Sequence, residues 1–439
     1  MNRLITTFKN IFAIDELRGR ILNTLLFIAA FRLGSAIVLP GVDPNKLNIN
    51  TGGLLGLLDT FLGGAFSKAS IFALGIMPYI SASIAIQLLT LALPYFQKMQ
   101  KEGESGRKRL NQITRVLTIG VTAVQAITYV NTTIPAEALL IDRGLFTIAS
   151  VFILTSGTIF CMWLGERITD KGVGNGISMI IMIGIVSRLP GAIIGEQQSR
   201  GSSGVLLFVI ELVALYFVVM GAVVLTQAVR RIPIQYAKQV IGNKVVGGQR
   251  QYLPLKLNAA GVMPIIFAQA LMFIPTYVAG LFSDKSDFAA SVQNAFQSYT
   301  TWQYNVLFGL LIIVFTFFYT AISVNPTQIA DDMKRSGGFI PGVKPGLQTS
   351  EYIGTVLDRI TLPGSLMLAI VAILPAIANL FGMTSGFSQF FGGTSLLIMV
   401  GVVLDTLQQV ESYLLMRRYE GLMKSGRVQG RASSETVAA

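Results

Sequence analysis

"LGIMPYISASIAIQLLTLALP", residues 74–94, has the length and apolar content of a membrane helix but not its uniformity. It opens on Gly75-x-Met77-Pro78 and carries Ser81, Ser83, Gln87 and Thr90. The same pattern returns at Gly261-Val262-Met263-Pro264, again at the head of an apolar stretch. Ser83, Gln87 and Thr90 follow i, i+4, i+7 spacing and share one helical stripe, with Ile80 and Ile84 on the neighbouring one. A glutamine in hydrocarbon is costly, so the polar stripe should face another helix or water. Two readings stay open: hydrogen bonding between helices, or the lining of a path or seam.

The rest of the chain has the same solvent in view. Of 439 residues, 52% are hydrophobic and only 13% charged, and the mean hydropathy is +0.62. Soluble domains carry about 25% charged residues, so this is an integral membrane protein. Ten apolar spans are expected, at about 21–39, 71–93, 112–131, 145–164, 177–195, 205–228, 259–281, 304–324, 362–381 and 394–415. A further Gly-rich piece, "GGLLGLLDTFLGGAF" (52–66), is too short to cross about 30 Å of hydrocarbon. It reads as a short or re-entrant helix leading into the second span.

Basic residues sort by side. The N-terminus and alternate loops (94–111 with Arg115, 165–176, 229–258, 325–361, 416–439) hold 27 of the 34 Lys and Arg. Six are left for the opposite side, and Arg32 lies inside the first span. Positive charge marks the cytoplasmic face, which puts both termini inside. The first span is not expected to be a cleaved signal, since it is long and lacks an A-x-A site. The end of the tail, "SGRVQGRASSETVAA" (425–439), is small and polar, the composition of a disordered segment.

With both termini inside, span 2 runs inward and span 7 outward, so the two Gly-x-Met-Pro starts sit on opposite faces. That is the pattern of an inverted repeat of five spans, 21–195 against 205–415, with a 1–20 segment before and a 416–439 tail after. Such repeats place a pathway where the halves meet.

Chemistry is sparsely supplied. The chain has no histidine, which removes the usual general base, proton switch and zinc ligand. Cys161 is the single cysteine, so neither an internal disulfide nor a Cys-cluster metal site is expected. "GSSG" (201–204) resembles the serine motif of an intramembrane protease, but such a serine needs a base; a turn is the better reading. "GVGNGIS" (172–178) invites a phosphate-loop reading but lacks the preceding strand and the Gly-Lys-Ser/Thr; it reads as the entry to a helix. No ATPase motif is present, so energy must come from a partner. Arg32, Glu211 and Asp405 are the clearest ionisable residues inside spans. Arg32 should tie helices together through carbonyls or a carboxylate, while a proton relay stays open for the two acids.

Several segments together resemble the SecY family, the channel subunits of the bacterial protein translocase. They are "SIFALGIMPYISASIAIQLL" (70–89), "MWLGERITDKGVGNGISMII" (162–181), "FRLGSAIVLPGVD" (31–43), "KEGESGRKR" (101–109), "LPLKLNAAGVMPIIFA" (253–268), "GFIPGVKPGLQT" (338–349) and "FGGTSLLIMVGVVLD" (391–405). They run in order along almost the whole chain. The resemblance implies an all-α polytopic fold of ten transmembrane helices in two pseudo-symmetric halves, with a pore between them and a side opening to lipid. Carried over residue by residue, a pore ring falls on Ile80, Ile84, Ile177, Ile181, Ile266 and Ile398. The piece at 54–66 becomes a plug below the ring, its glycines weakening the helix as a removable element tolerates. Ser83, Gln87 and Thr90 become the polar seam of a lateral gate between spans 2 and 3 on one edge and 7 and 8 on the other. No cofactor is implied. The implied partners are the small membrane subunits SecE and SecG, the SecA motor ATPase, the ribosome, preproteins with signal sequences, and the lipids of the bacterial cytoplasmic membrane. The 229–258 loop has six basic and no acidic residues; it is either a solvated positive-inside loop or a docking surface. Arg250, Lys256, Lys334, Arg335 and Lys344 are the docking candidates. Position 344 departs from the family: "PGVKPG" has Lys where the bacterial members commonly have Arg, keeping the charge but losing the bidentate fork. The rival function is a small-solute secondary transporter, since inverted repeats and broken helices suit both; transporters usually present polar ligands at mid-membrane, whereas this constriction is isoleucine-rich.

Overall fold

The computed structural model describes residues 14–47, 56, 59–201, 204–236, 238–241, 244–247, 250–269, 271–272, 291, 295–296 and 298–424. Long helices dominate: α1 (Asp15–Ala36), α2 (Met77–Ala92), α3 (Pro94–Lys101), α4 (Glu104–Thr133), α5 (Arg143–Lys171), α6 (Gly176–Arg200) and α7 (Val205–Gln227). After a β-rich segment come α8 (Trp302–Ser323), α9 (Pro326–Arg335), α10 (Leu347–Leu380) and α11 (Gly393–Lys424). Seven helices among the described residues are long and apolar enough to cross a membrane, and eight if α2 and α3, bent by 102°, make one broken span. Ten were expected. The difference has local causes: α1 begins on the charged run Asp15, Glu16, Arg18 and Arg20, and most of the expected 259–281 span lies outside the described residues.

Residue chemistry sets the boundaries. Leu93 is extended (φ −111°, ψ 123°) because Pro94 disfavours helical geometry in the residue before it, and this breaks α2 from α3. The Asp142 carboxylate accepts from the Gly144 amide at 3.1 Å and caps α5. Asn325 Oδ1 accepts from the Thr327 and Gln328 amides and starts α9 at its Pro326. α7 is apolar all round and buries only Glu211, Ala222 and Leu225, as befits a helix whose solvent is lipid.

The chain divides into two compact units. The first comprises Met1–Ile49, Leu62–Gly184 and Val402–Ala439; the second Asn50–Phe61 and Ile185–Gly401. In the first, the turns of 62–76 are enclosed by a core of Leu39, Phe66, Leu74, Tyr129, Phe146 and Leu154. The Tyr129 hydroxyl donates to the Phe66 carbonyl at 2.7 Å, so this irregular backbone is satisfied where it is buried. Beside it, the rings of Phe31, Phe72, Phe160 and Trp163 stack in sequence at 5.7–5.9 Å.

The second unit holds what the helical spans do not. The strands β1 (Val229–Tyr236), β4 (Arg250–Lys256) and β5 (Gly338–Phe339) form an antiparallel sheet in the order β4-β1-β5, while β2 (Lys238–Ile241) and β3 (Lys244–Gly247) make a hairpin. Ile232, Ile234 and Leu255 from the sheet pack on Met333 of α9, Ile340, and Ile353 and Leu357 of α10. The two basic loops 229–258 and 325–361 thus share one hydrophobic core.

Candidate functional site

The two Gly-x-Met-Pro segments adopt the same local geometry. Gly75 and Gly261 both have positive φ, 49° and 65°, a region open to glycine and strained for other residues. Each glycine amide donates to the carbonyl three residues back, Gly75 to Phe72 at 2.9 Å and Gly261 to Asn258 at 3.4 Å. A helix then begins at Met77 and at 263, with the proline in the first turn, where its missing N–H costs nothing. Five residues past the glycine, Ile80 donates to the Ile76 carbonyl at 3.1 Å and Ile266 to Val262 at 3.4 Å. Ile80 and Ile266 therefore occupy the same position in the two breaker helices.

In the first unit, Ile80 of α2 and Ile177 of α6 pack against one cluster of Phe72, Ile76, Leu164, Ile168 and Ile180. Ile84 and Ile181 lie one turn further along the same helices, the former buried and the latter half-buried. In the second unit, Ile266 is half-buried and Ile398, on α11, is buried. The start of α6 is held by side chains. Asn175 Oδ1 accepts from the Ile177 and Ser178 amides at 3.1 and 3.3 Å. The amides of Val173, Gly174 and Gly176 donate to Thr24 Oγ1, Gln409 Oε1 and Thr169 Oγ1. These donors are committed inside the protein, so "GVGNGIS" is a helix entry and not an anion cradle.

The polar stripe of α2 is partly turned inward on itself. On the stripe, Thr90 Oγ1 donates to the Ile86 carbonyl at 2.7 Å; off it, Ser81 Oγ donates to the Met77 carbonyl at 3.1 Å. Their hydroxyls are satisfied by their own helix, which lets them sit in apolar surroundings. Ser83 and Gln87 are half-buried on the same stripe.

Two intramembrane charges have partners. Arg32 Nη1 donates to the Gly63 carbonyl at 3.3 Å, the carbonyl option of the sequence reading. Glu211 accepts from Arg200 Nη2 at 2.5 Å, and Arg200 Nε donates to Glu196 at 3.1 Å. Asp405 is exposed on α11, and Cys161 is buried in the first unit's core. Within α4, Arg115 makes two bonds to Glu166 Oε1 on α5, at 3.0 and 2.7 Å.

Of the docking candidates, Lys256, Lys334, Arg335 and Lys344 are exposed on the sheet subdomain, and Arg250 pairs in register with Gln235 on β1. Thr349 Oγ1 donates to the Lys344 carbonyl at 2.9 Å, fixing the backbone of the "PGVKPG" turn while its lysine faces solvent. Sequence reasoning missed the sheet itself. The signal was present: Ile232 and Ile234 alternate with exposed Arg231 and Pro233, the period of a half-buried strand. In the plug candidate, Gly56 and residues 59–61 are helical and 62–69 are turns; 54, 55, 57 and 58 lie outside the described residues.

The SecY family model matches residues 70–407. The chain belongs to the SecY family. It is 42% identical to the protein translocase subunit SecY of Streptomyces griseus and 43% identical to that of Halalkalibacterium halodurans, covering 96% of this chain and all of each relative. Among solved structures, a protein-conducting channel superposes with a TM-score of 0.64 at 16% identity, over 90% of this chain and 92% of the other. Sec61 in the canine ribosome–channel complex gives 0.60 at 15%, with the same coverage of both chains. At these identities the likeness is one of fold, and it is the SecY fold of a multi-span membrane channel. SecY membership carries the function of a protein translocase channel, and the solute-transporter alternative gains no support from these relatives.

Proposed function

We propose that this chain is the central pore of a bacterial Sec translocase in the cytoplasmic membrane. It passes unfolded preproteins across and releases hydrophobic helices sideways into lipid. The observation that carries this reading is the shared register of Ile80 and Ile266 at the two breaker helices, within a chain of this family. Broken spans put irregular backbone and a helix start inside the membrane, where it is tolerated beside protein or water. A large apolar side chain there closes a path by excluding water, and yields to a passing chain without selecting one sequence.

In this reading Ile80, Ile84, Ile177, Ile181, Ile266 and Ile398 form the constriction, the 54–66 segment closes it from one side, and Ser83, Gln87 and Thr90 border the lateral opening. The 21–195 and 205–415 halves flank the pore, and both termini are cytoplasmic, as the bias of Lys and Arg supports. SecE and SecG are the membrane partners; SecA or a ribosome docks on Arg250, Lys256, Lys334, Arg335 and Lys344. The chain itself is not an enzyme, and the motor supplies the energy. The test is ion conductance of reconstituted proteoliposomes. An Ile84→Asn, Ile181→Gly double variant should leak at least about tenfold more than the parent, because a polar or missing side chain wets the constriction. If the inserted double variant conducts no more than the parent, the ring assignment is wrong.

A further inference from the structure

The segment ahead of the second span carries a buried charge. Asp59 is fully buried and forms an ion pair with Arg188 of α6, which is half-buried. The next residue, Thr60, is also buried; its hydroxyl lies 2.5 Å from Gln389 Oε1, with the Gly56 carbonyl 2.9 Å away as its second acceptor. Both contacts join side chains far apart in sequence, and all four residues belong to the second unit. Further along, the segment is held differently, by backbone carbonyls: Gly63 accepts from Arg32 and Phe66 from Tyr129. Among the described residues of the segment, Asp59 and Thr60 are tied through their own side chains.

We propose that Asp59 and Thr60 form a latch, closed on Arg188 and Gln389, that holds the plug segment in its resting position. This rests on the plug reading given above and adds the residues that set how firmly it is held. The chemistry suits a reversible catch. An intact buried ion pair contributes little net stability, because desolvation offsets attraction, but losing one partner strands the other charge. The pair therefore specifies one closed position without making departure prohibitive, since both charges rehydrate once the segment swings into water. Apolar packing alone would fall off gradually with displacement; directional contacts are lost within a few ångströms. Arg188 is half-buried, so releasing the carboxylate leaves a guanidinium that is not fully enclosed by protein.

The experiment measures resting ion leak in proteoliposomes and export of a preprotein with a defective signal sequence. The proteins are the parent, Arg188→Gln, Asp59→Asn, the Asp59→Asn/Arg188→Gln double variant, and a deletion of 54–66. Arg188→Gln strands the buried carboxylate and should raise leak at least about tenfold. The double variant should fall back toward the parent, because neither charge is left unpaired, giving a non-additive cycle. Single and double variants that leak equally would overturn the pair in favour of general packing. An Arg188→Gln channel as tight as the parent, beside a leaking deletion, would remove the latch and leave the plug reading standing. A deletion that does not leak would remove the plug reading, and the latch with it.

Discussion

Arg200 lies between two carboxylates, and replacing it should cost far more than replacing one of them. Its Nε donates to Glu196 at 3.1 Å and its Nη2 to Glu211 at 2.5 Å. The other Glu196 oxygen accepts from the amide and hydroxyl of Thr384, at 2.8 and 2.5 Å, so α6, α7 and the turn at 384 meet here. Glu196 is fully buried and Glu211 nearly so, with 7% of its side chain exposed. Arg200→Met leaves both acids without a cation, and breaking a buried pair from one side costs about 3–5 kcal/mol. Glu211→Gln keeps the shape and an acceptor oxygen, and leaves Arg200 bonded to Glu196; the loss is that of one hydrogen bond's charge assistance, about 1 kcal/mol. Titrating the purified protein in mixed micelles with a denaturing detergent measures both against the parent. The midpoint should shift strongly for Arg200→Met and slightly for Glu211→Gln, and Glu211→Gln should export at the parent's rate. Equal shifts would refute the assignment of Arg200 as the shared counter-ion. A stable Glu211→Gln protein that no longer exports would restore the proton-relay reading in its place.

Two further outcomes follow from the breaker helices and the basic turn. A Cβ at Gly75 would lie 2.5 Å from Leu62 Cδ2, while at Gly261 nothing stands within 4 Å. Both positions have positive φ, so Gly261→Ala should cost about 1–2 kcal/mol from backbone strain alone, and Gly75→Ala about 1–3 kcal/mol more from overpacking, read in the same titration. Reversing Lys344 to Glu should preserve insertion and orientation but weaken motor-driven export and low-salt motor binding, and Lys344→Arg should retain both; unchanged export and affinity in Lys344→Glu would take the residue out of the docking surface.

Much of the architecture was legible because the membrane imposes simple rules. Apolar runs of about 20 residues announce helices, and the repeated Gly-x-Met-Pro announced two helix starts whose backbone proved to match down to Ile80 and Ile266. "GVGNGIS" read correctly as a helix entry from what it lacked, though not that Thr24 and Gln409 would take its amides. The sheet was hidden because a stretch scored for charge was not scored for alternation: the six basic residues of 229–258 drew the reading to a solvated loop, while Ile232 and Ile234 already alternated beneath them. Partners far apart in sequence were beyond reach. Nothing local to Asp59 points to Arg188, nor local to Glu196 to Thr384, because contacts across 129 or 188 positions follow from the packed fold alone.

Lys344 stands three positions before α10, and that helix continues without interruption for 34 residues, about 50 Å at the usual rise. Its opening turns are gripped by the sheet through Ile353 and Leu357, while its later turns run alongside α8. The basic turn and the membrane-buried end of α10 are thus two ends of one rod. A load applied at the turn has little slack in which to dissipate before it reaches the bilayer, and the two prolines along the way, Pro363 and Pro375, are where such a rod would flex first. If a partner docks on this turn as proposed, the turn is a handle whose leverage is set by the stiffness of a single helix.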